Sequence, residues 1–381
     1  MSKMFPELNQ SLSRPRSTAA DILEINGGTG PGFDALRFLL SVWVFTVHAM
    51  FICDGADAAE AFVANPLHSL LVKPALPMFF IVSGYLVAGS AIRTKSVSTF
   101  LMFRVLRIMP ALTIEVALSA LVLGPWLTEK TFPEYFSDPL FAKYFLNIVG
   151  NVQFFLPGLF LHNPVPGAVN LNLWTLKPEF FCYLFISTMI AMKFIFSRKI
   201  YTLIAFLTMV LSAVYVIRGG QLYNFVGVAD WKILILSFVI GGCAFHWNDG
   251  LVMSGPGALL AVLIAAGATM YSPLIILHLL ALTYIVIYIG TRKMRLPGIL
   301  RDRDCSYGIY LFGFPIQQTM VYLLPSDYRS GLVILLVGLP LTLAFAMLSW
   351  TFVEEPVSRL KARIKRGIQV DTRWRLKLRP N

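Results

Sequence analysis

The chain has 381 residues, 57% of them hydrophobic and 14% charged, with a mean hydropathy of +0.70 and a net charge of +12. An ordinary soluble domain has roughly 45 to 50% apolar and about 25% charged residues, so water is not this chain's main solvent. The basic residues sit in short loops between apolar runs and in a tail where 9 Lys and Arg follow Pro356, which is the positive-inside pattern of a membrane protein and argues against a nucleic-acid partner.

Residues 1–32 are polar, carry Lys3, Arg14 and Arg16, and show no small-residue cleavage site, so they read as a cytoplasmic segment ahead of an uncleaved anchor. Apolar runs near the roughly 20 residues needed to cross a bilayer then predict helices over 33–53, 71–92, 106–127, 177–197, 200–217, 230–247, 254–270, 273–291, 305–324 and 331–355. The seventh and eighth share a charge-free stretch from Leu251 to Thr291, divided at Tyr271-Ser272-Pro273 because proline interrupts a helix there. The expected fold is all-α: a polytopic integral membrane protein with about ten transmembrane helices.

Between the third and fourth helices, residues 128–176 begin polar and turn apolar from Tyr144, with Asn147, Asn151, Pro157, Gly158, Pro164, Pro166 and Gly167 breaking the run. Such a pattern predicts an outward loop or a re-entrant segment, since irregular backbone at membrane depth needs protein or a wet cavity around it. It could house an acceptor site or only cap the helix ends. An even number of helices places both termini on one side. The basic loops mark that side as cytoplasmic, and Asp54, Asp57 and Glu60 lie opposite. The organisation expected is a segment over 1–32, a membrane domain over 33–356 and a basic cytoplasmic tail over 357–381, with the lipid bilayer as partner and anionic headgroups near the tail. Cys53, Cys182, Cys243 and Cys305 show no CxxC spacing and read as small apolar residues. No metal site and no bound cofactor are expected.

Arg37 and His48 are eleven residues apart in the first helix. Eleven steps return the side chain to within about 20° of the same direction while rising about 16 Å, so both share one stripe. His48 then falls near the bilayer midplane, where an ionisable group is costly and marks a candidate site; the plainer reading is a neutral imidazole bonded to a neighbouring helix. Arg104 and Arg107 are three apart on one face at the start of the third helix. They either flank the membrane in the ordinary way or grip phosphate oxygens bidentately. Glu179 opens the fourth helix at its expected outer end, where the helix dipole favours a carboxylate. Glu115 follows Arg104 by eleven residues, as His48 follows Arg37, which would set it beside His48 unless Pro110 kinks the helix between them.

The order of these segments resembles the acyltransferase-3 family, membrane enzymes that O-acylate bacterial surface polysaccharides and related glycans. The resemblance runs from Phe33 to Pro356. It is carried by Arg37 and His48, by Phe79 to Tyr85, by Arg104, Arg107 and Pro110, by Trp174 to Glu179, by Ser306 to Pro315, and by Phe352 to Pro356. Many members have histidine where Gly313 stands here, and Glu355 is an unusual acidic residue before the last proline.

What the resemblance implies is a membrane O-acyltransferase whose donor substrate is acetyl-CoA or another acyl-CoA and whose acceptor is a hydroxyl of a cell-surface or secreted glycan. Arg37, Arg104 and Arg107 would hold the CoA phosphates. His48 would be general base or transient acyl carrier, since imidazole suits either role. Glu179 would be a second catalytic group, and Glu115, Ser83 and Tyr307 would give support. Location in the bacterial inner membrane follows. Some relatives carry an extra extracytoplasmic domain, so this chain would act alone or with a separate partner protein. A transporter or flippase of lipid-linked sugars is the rival reading, separated by whether an alkali-labile ester is formed.

Overall fold

The computed structural model describes residues 18–367 except 29, 224–228, 270, 295 and 301–302. The expectations for residues 1–17 and for the tail beyond 367 lie outside the described residues. Away from water, a backbone segment must satisfy its own amides, and helices do so within one stretch of chain. A helix stands at each of the ten expected places: α1 Phe33–Phe51, α2 Ala75–Thr94, α3 Val97–Leu118, α4 Leu176–Ala191, α5 Arg198–Ile217, α6 Trp231–His246, α7 Gly255–Thr269, α8 Ile275–Gly290, α9 Ser306–Leu323 and α10 Leu339–Ser349. A basic helix, α11, follows at Glu355–Gly367.

Five helical stretches are long and apolar enough to cross a membrane by length and composition: Phe33–Phe51, Pro66–Thr94, Val97–Leu127, Arg198–Ile217 and Gly331–Ile364. Among the described residues the β interactions are isolated bridges, Thr18 with Val252, Phe155 with Ala168 and Tyr223 with Ala229. The chain is therefore all-helical with the architecture of a membrane protein.

Two glycines set the tightest crossing. A Cβ on Gly84 of α2 would lie 1.9 Å from the Phe238 carbonyl oxygen, and one on Gly241 of α6 would lie 2.3 Å from the Ile81 carbonyl oxygen. Small residues let two backbones approach this closely, the usual means of tight helix packing in membranes. The serine-glycine segment of α2 thus works first as a packing device. At the other side of the bundle, buried Gln317 of α9 donates to the Phe45 carbonyl of α1 at 2.9 Å.

Two local results bear on the site. The third helix begins at Val97, with the Ser96 hydroxyl accepting from the Thr99 amide at its start. Arg104 and Arg107 therefore lie inside the helix. The second concerns residues 128–176, which turn inward after the short helices Phe132–Ser137 and Pro139–Tyr144. Asn147 donates to the Tyr144 and Gln153 carbonyls and accepts from the Gln153 amide, while Asn170 and Asn172 reach the Leu311 and Tyr310 carbonyls of α9. Asparagine side chains here do what helical hydrogen bonds do elsewhere, satisfying buried irregular backbone.

Three π-helical turns interrupt the ladder, at Ser119–Leu123 after α3 and at Ile334–Gly338 and Trp350–Glu354 on either side of α10. Such turns re-aim side chains and recur at functional sites. The last of them presents Glu354 to Arg107.

Candidate active site

Two cavities lie along the Arg37 to His48 stripe of α1. The first, about 320 Å³, is lined by Arg37, Arg104, Arg107, Glu179, Ser83 and Tyr307 among others, so it gathers six of the eight residues singled out in the sequence. The second, about 590 Å³, contains His48 together with Asn172, Trp174, Lys73, Asp230 and Trp231. Leu76 and Tyr310 line both. The eleven-residue spacing thus does what the helical repeat requires, aiming one side chain into each of two stacked spaces.

In the first cavity the guanidiniums are not bare. Asp304, just ahead of α9, lies 2.6 Å from Arg37 and 2.6 Å from Arg107, and Arg107 also meets Glu354 at 3.4 Å. The Ser306 hydroxyl donates to the same Asp304 carboxylate. Burial alone would raise the Asp304 carboxyl, but the Arg107 and Arg37 guanidiniums outweigh it and hold the group well below the usual carboxylate range. One acidic side chain thereby fixes two basic ones from different helices. Sequence reasoning missed Asp304 because it stands in a loop dominated by basic residues.

Arg104 differs. It has no carboxylate within ion-pair distance among the described residues, its Nε is buried without a partner, and its guanidinium lies over the Phe100 and Tyr183 rings at 5.5 and 5.7 Å. A planar cation held between aromatic faces keeps its donors pointed for a bidentate anion. Tyr307 packs beneath Arg107, ring centroid 5.6 Å from the guanidinium carbon, and donates to the Ile108 carbonyl.

Glu179 stands in the first turn of α4 and lines the arginine cavity rather than the His48 cavity, and the Tyr183 hydroxyl donates to it. The reason is the inward course of residues 128–175, which delivers the chain deep into the bundle before α4 begins. Glu115 is likewise not bonded to His48. Its Oε1 accepts from Ser119 at 2.9 Å and from Asn170 at 3.0 Å, and Asn170 in turn donates to the Leu311 carbonyl. Equal depth on two helices proved insufficient, because the inward segment supplies a nearer partner.

His48 is half-buried and faces the second cavity. Its ring packs edge-on to Phe314 with centroids 5.7 Å apart. No hydrogen bond occupies either ring nitrogen among the described residues, so the imidazole retains a lone pair for a ligand hydroxyl. Gly313 stands beside it, where a Cβ would lie 3.0 Å from the Phe45 ring, so a larger side chain there would need Phe45 to move. The four cysteines are free thiols.

An all-helical membrane bundle with a gathered arginine site and a separate, open imidazole is the framework of a membrane-embedded transferase. The chain belongs to the acyltransferase-3 family: the family model, described as an acyltransferase domain, matches residues 31–351. It is thus an acyltransferase, moving groups other than amino-acyl groups. Among curated proteins it is similar to an O-acetyl transferase of Shigella phage Sf6, 26% identical over 330 residues that cover 85% of this chain and 94% of the relative. It is also similar to nodulation protein 10 of Rhizobium leguminosarum bv. viciae, 25% identical over 367 residues, covering 89% of this chain and 96% of the relative. No solved structure matches the chain.

Proposed function

We propose that this chain is an inner-membrane O-acyltransferase that moves an acyl group, acetyl in the first instance, from acyl-CoA to a hydroxyl of a cell-surface or secreted glycan. The observation that carries the reading is the pair of cavities on one helix stripe, an arginine-rich one at Arg37 and an imidazole-bearing one at His48. Both termini and the arginine cavity face the cytoplasm in this account, where acyl-CoA is made. The name of the phage relative supports acetyl as the group and oxygen as the acceptor.

The CoA phosphates engage Arg104 first, with Arg37 and Arg107 held in place by Asp304. A guanidinium fork matches phosphate geometry, and charge-assisted hydrogen bonds are about twice as strong as neutral ones. Glu179, hydrogen-bonded by Tyr183, orients the acyl end of the donor. In the second cavity His48 takes the proton of the acceptor hydroxyl as its oxygen adds to the thioester carbonyl. The C–S bond then breaks, and the CoA sulfur receives the proton that His48 holds. Trp174 and Trp231 offer flat apolar faces to a sugar ring.

The test uses membranes containing the chain, acetyl-CoA labelled in the acetyl group, and glycans of the cell. The expected product is label on the glycan fraction that mild alkali releases. Label that stays on CoA in membranes with verified protein would overturn the reading.

A further inference from the structure

The arginine cavity and the His48 cavity are separate in this structure, and Tyr310 and Leu76 border both, so these two side chains stand at the boundary between them. The Tyr310 hydroxyl donates to the Asn172 carbonyl and is bonded to the Thr175 hydroxyl. Asn172 returns the bond, its side-chain amide donating to the Tyr310 carbonyl at 2.8 Å. Thr175 lines the arginine cavity and Asn172 the His48 cavity. The tyrosine is thus fastened to a segment that touches both spaces.

We propose that Tyr310 is a gate between the two cavities, latched by Thr175 and Asn172 when closed and swung aside to let the acyl thioester reach His48. The role rests on the function proposed above and adds a positioning residue to it. The physical need is plain. An acyl thioester left beside an imidazole in a space open to water is hydrolysed: water adds to the carbonyl, the C–S bond breaks as a C–O bond forms, and the CoA sulfur takes the proton that water loses. A closed partition keeps the thioester from that fate until an acceptor fills the second cavity, and lids of this kind commonly sequester reactive groups. The ring is latched only through the hydrogen bonds of its own hydroxyl, to the Asn172 carbonyl and the Thr175 hydroxyl, so opening is within thermal reach.

The experiment measures accessibility directly. In a full-length chain with the four natural cysteines replaced by serine and His48→Cys introduced, a charged maleimide is added from the arginine-cavity side of oriented vesicles. With Tyr310 present, labelling of the cysteine is slow. Tyr310→Ala is expected to speed it about tenfold and Tyr310→Phe, which keeps the ring but loses the latch, by a few fold. Equal rates in all three overturn the gate. If Tyr310→Ala fails to fold, the Tyr310→Phe comparison decides alone.

A second readout uses the otherwise unaltered protein with acetyl-CoA and no acceptor. Free CoA is expected to appear several-fold faster in Tyr310→Phe, while transfer to glycan falls; a mere packing defect would lower both together and would overturn the gate. The two readings fail differently. Loss of the gate effect with His48-dependent turnover intact removes the gate alone. A labelling difference without any acetyl-CoA turnover removes the acyltransferase account of the site and leaves the partition.

Discussion

Asp304 and Arg107 meet at 2.6 Å across 197 residues of chain, and the same carboxylate oxygen takes Arg37 at 2.6 Å. The first helix and the third are thereby tied at the depth where the donor is proposed to bind. Replacing Asp304 by asparagine leaves two guanidiniums in a partly buried site with a weaker partner. Breaking a buried pair costs about 3 to 5 kcal/mol, and residual exposure of near one fifth places this case at about 2 to 3 kcal/mol. Melting in detergent should show a drop of several degrees, with acyl transfer reduced at least tenfold. Because the folded carboxyl is held low, the tie is intact above the ordinary value of about 3.9 and fails only as pH falls through the depressed one. It should contribute evenly between about pH 5 and pH 8.

Arg104 has no carboxylate within ion-pair distance among the described residues and is held over two rings, so its fork is available to a ligand. Arg104→Lys keeps the charge but loses the fork. The Michaelis constant for acyl-CoA should rise about tenfold, equivalent to about 1.4 kcal/mol, with kcat within about twofold of wild type. A fall in kcat at unchanged Michaelis constant would instead place Arg104 in the chemical step.

Glu115 is structural on this geometry. Glu115→Gln preserves an oxygen for Asn170 and Ser119, so transfer and stability should stay within about twofold of wild type. Glu115→Ala leaves the buried Ser119 hydroxyl unpaired and should cost about 1 to 3 kcal/mol in a denaturation measurement.

Gly84 admits no side chain at the crossing of α2 and α6. Gly84→Ala should destabilise by about 1 to 3 kcal/mol, since overpacked interiors respond by that amount. Thermal unfolding checks it, and a neutral result would mean that the two helices separate readily.

The helices were legible because each is written as an uninterrupted apolar run, a local property of the sequence. Arg37 and His48 were legible for a related reason: their shared stripe follows from helical geometry within one element. The partners of those residues were not. Asp304 is separated from Arg37 by 267 positions and carries no local mark beyond its charge. Tyr310 lay within the Ser306 to Pro315 segment, where nothing in the sequence set it apart from its neighbours. The surroundings of Glu179 and Glu115 were not legible for one cause: the inward course of the asparagine-bearing segment after residue 144 is set by hydrogen bonds to α9, and no periodicity announces it.

Whether His48 serves acyl transfer is read from the alkali-labile acetyl content of glycans from cells carrying wild type or His48→Ala at matched protein level. Removing a general base lowers rates by about 100- to 10,000-fold, so the ester should fall to the level of cells without the protein. Ester retained at wild-type amounts in His48→Ala would contradict the account.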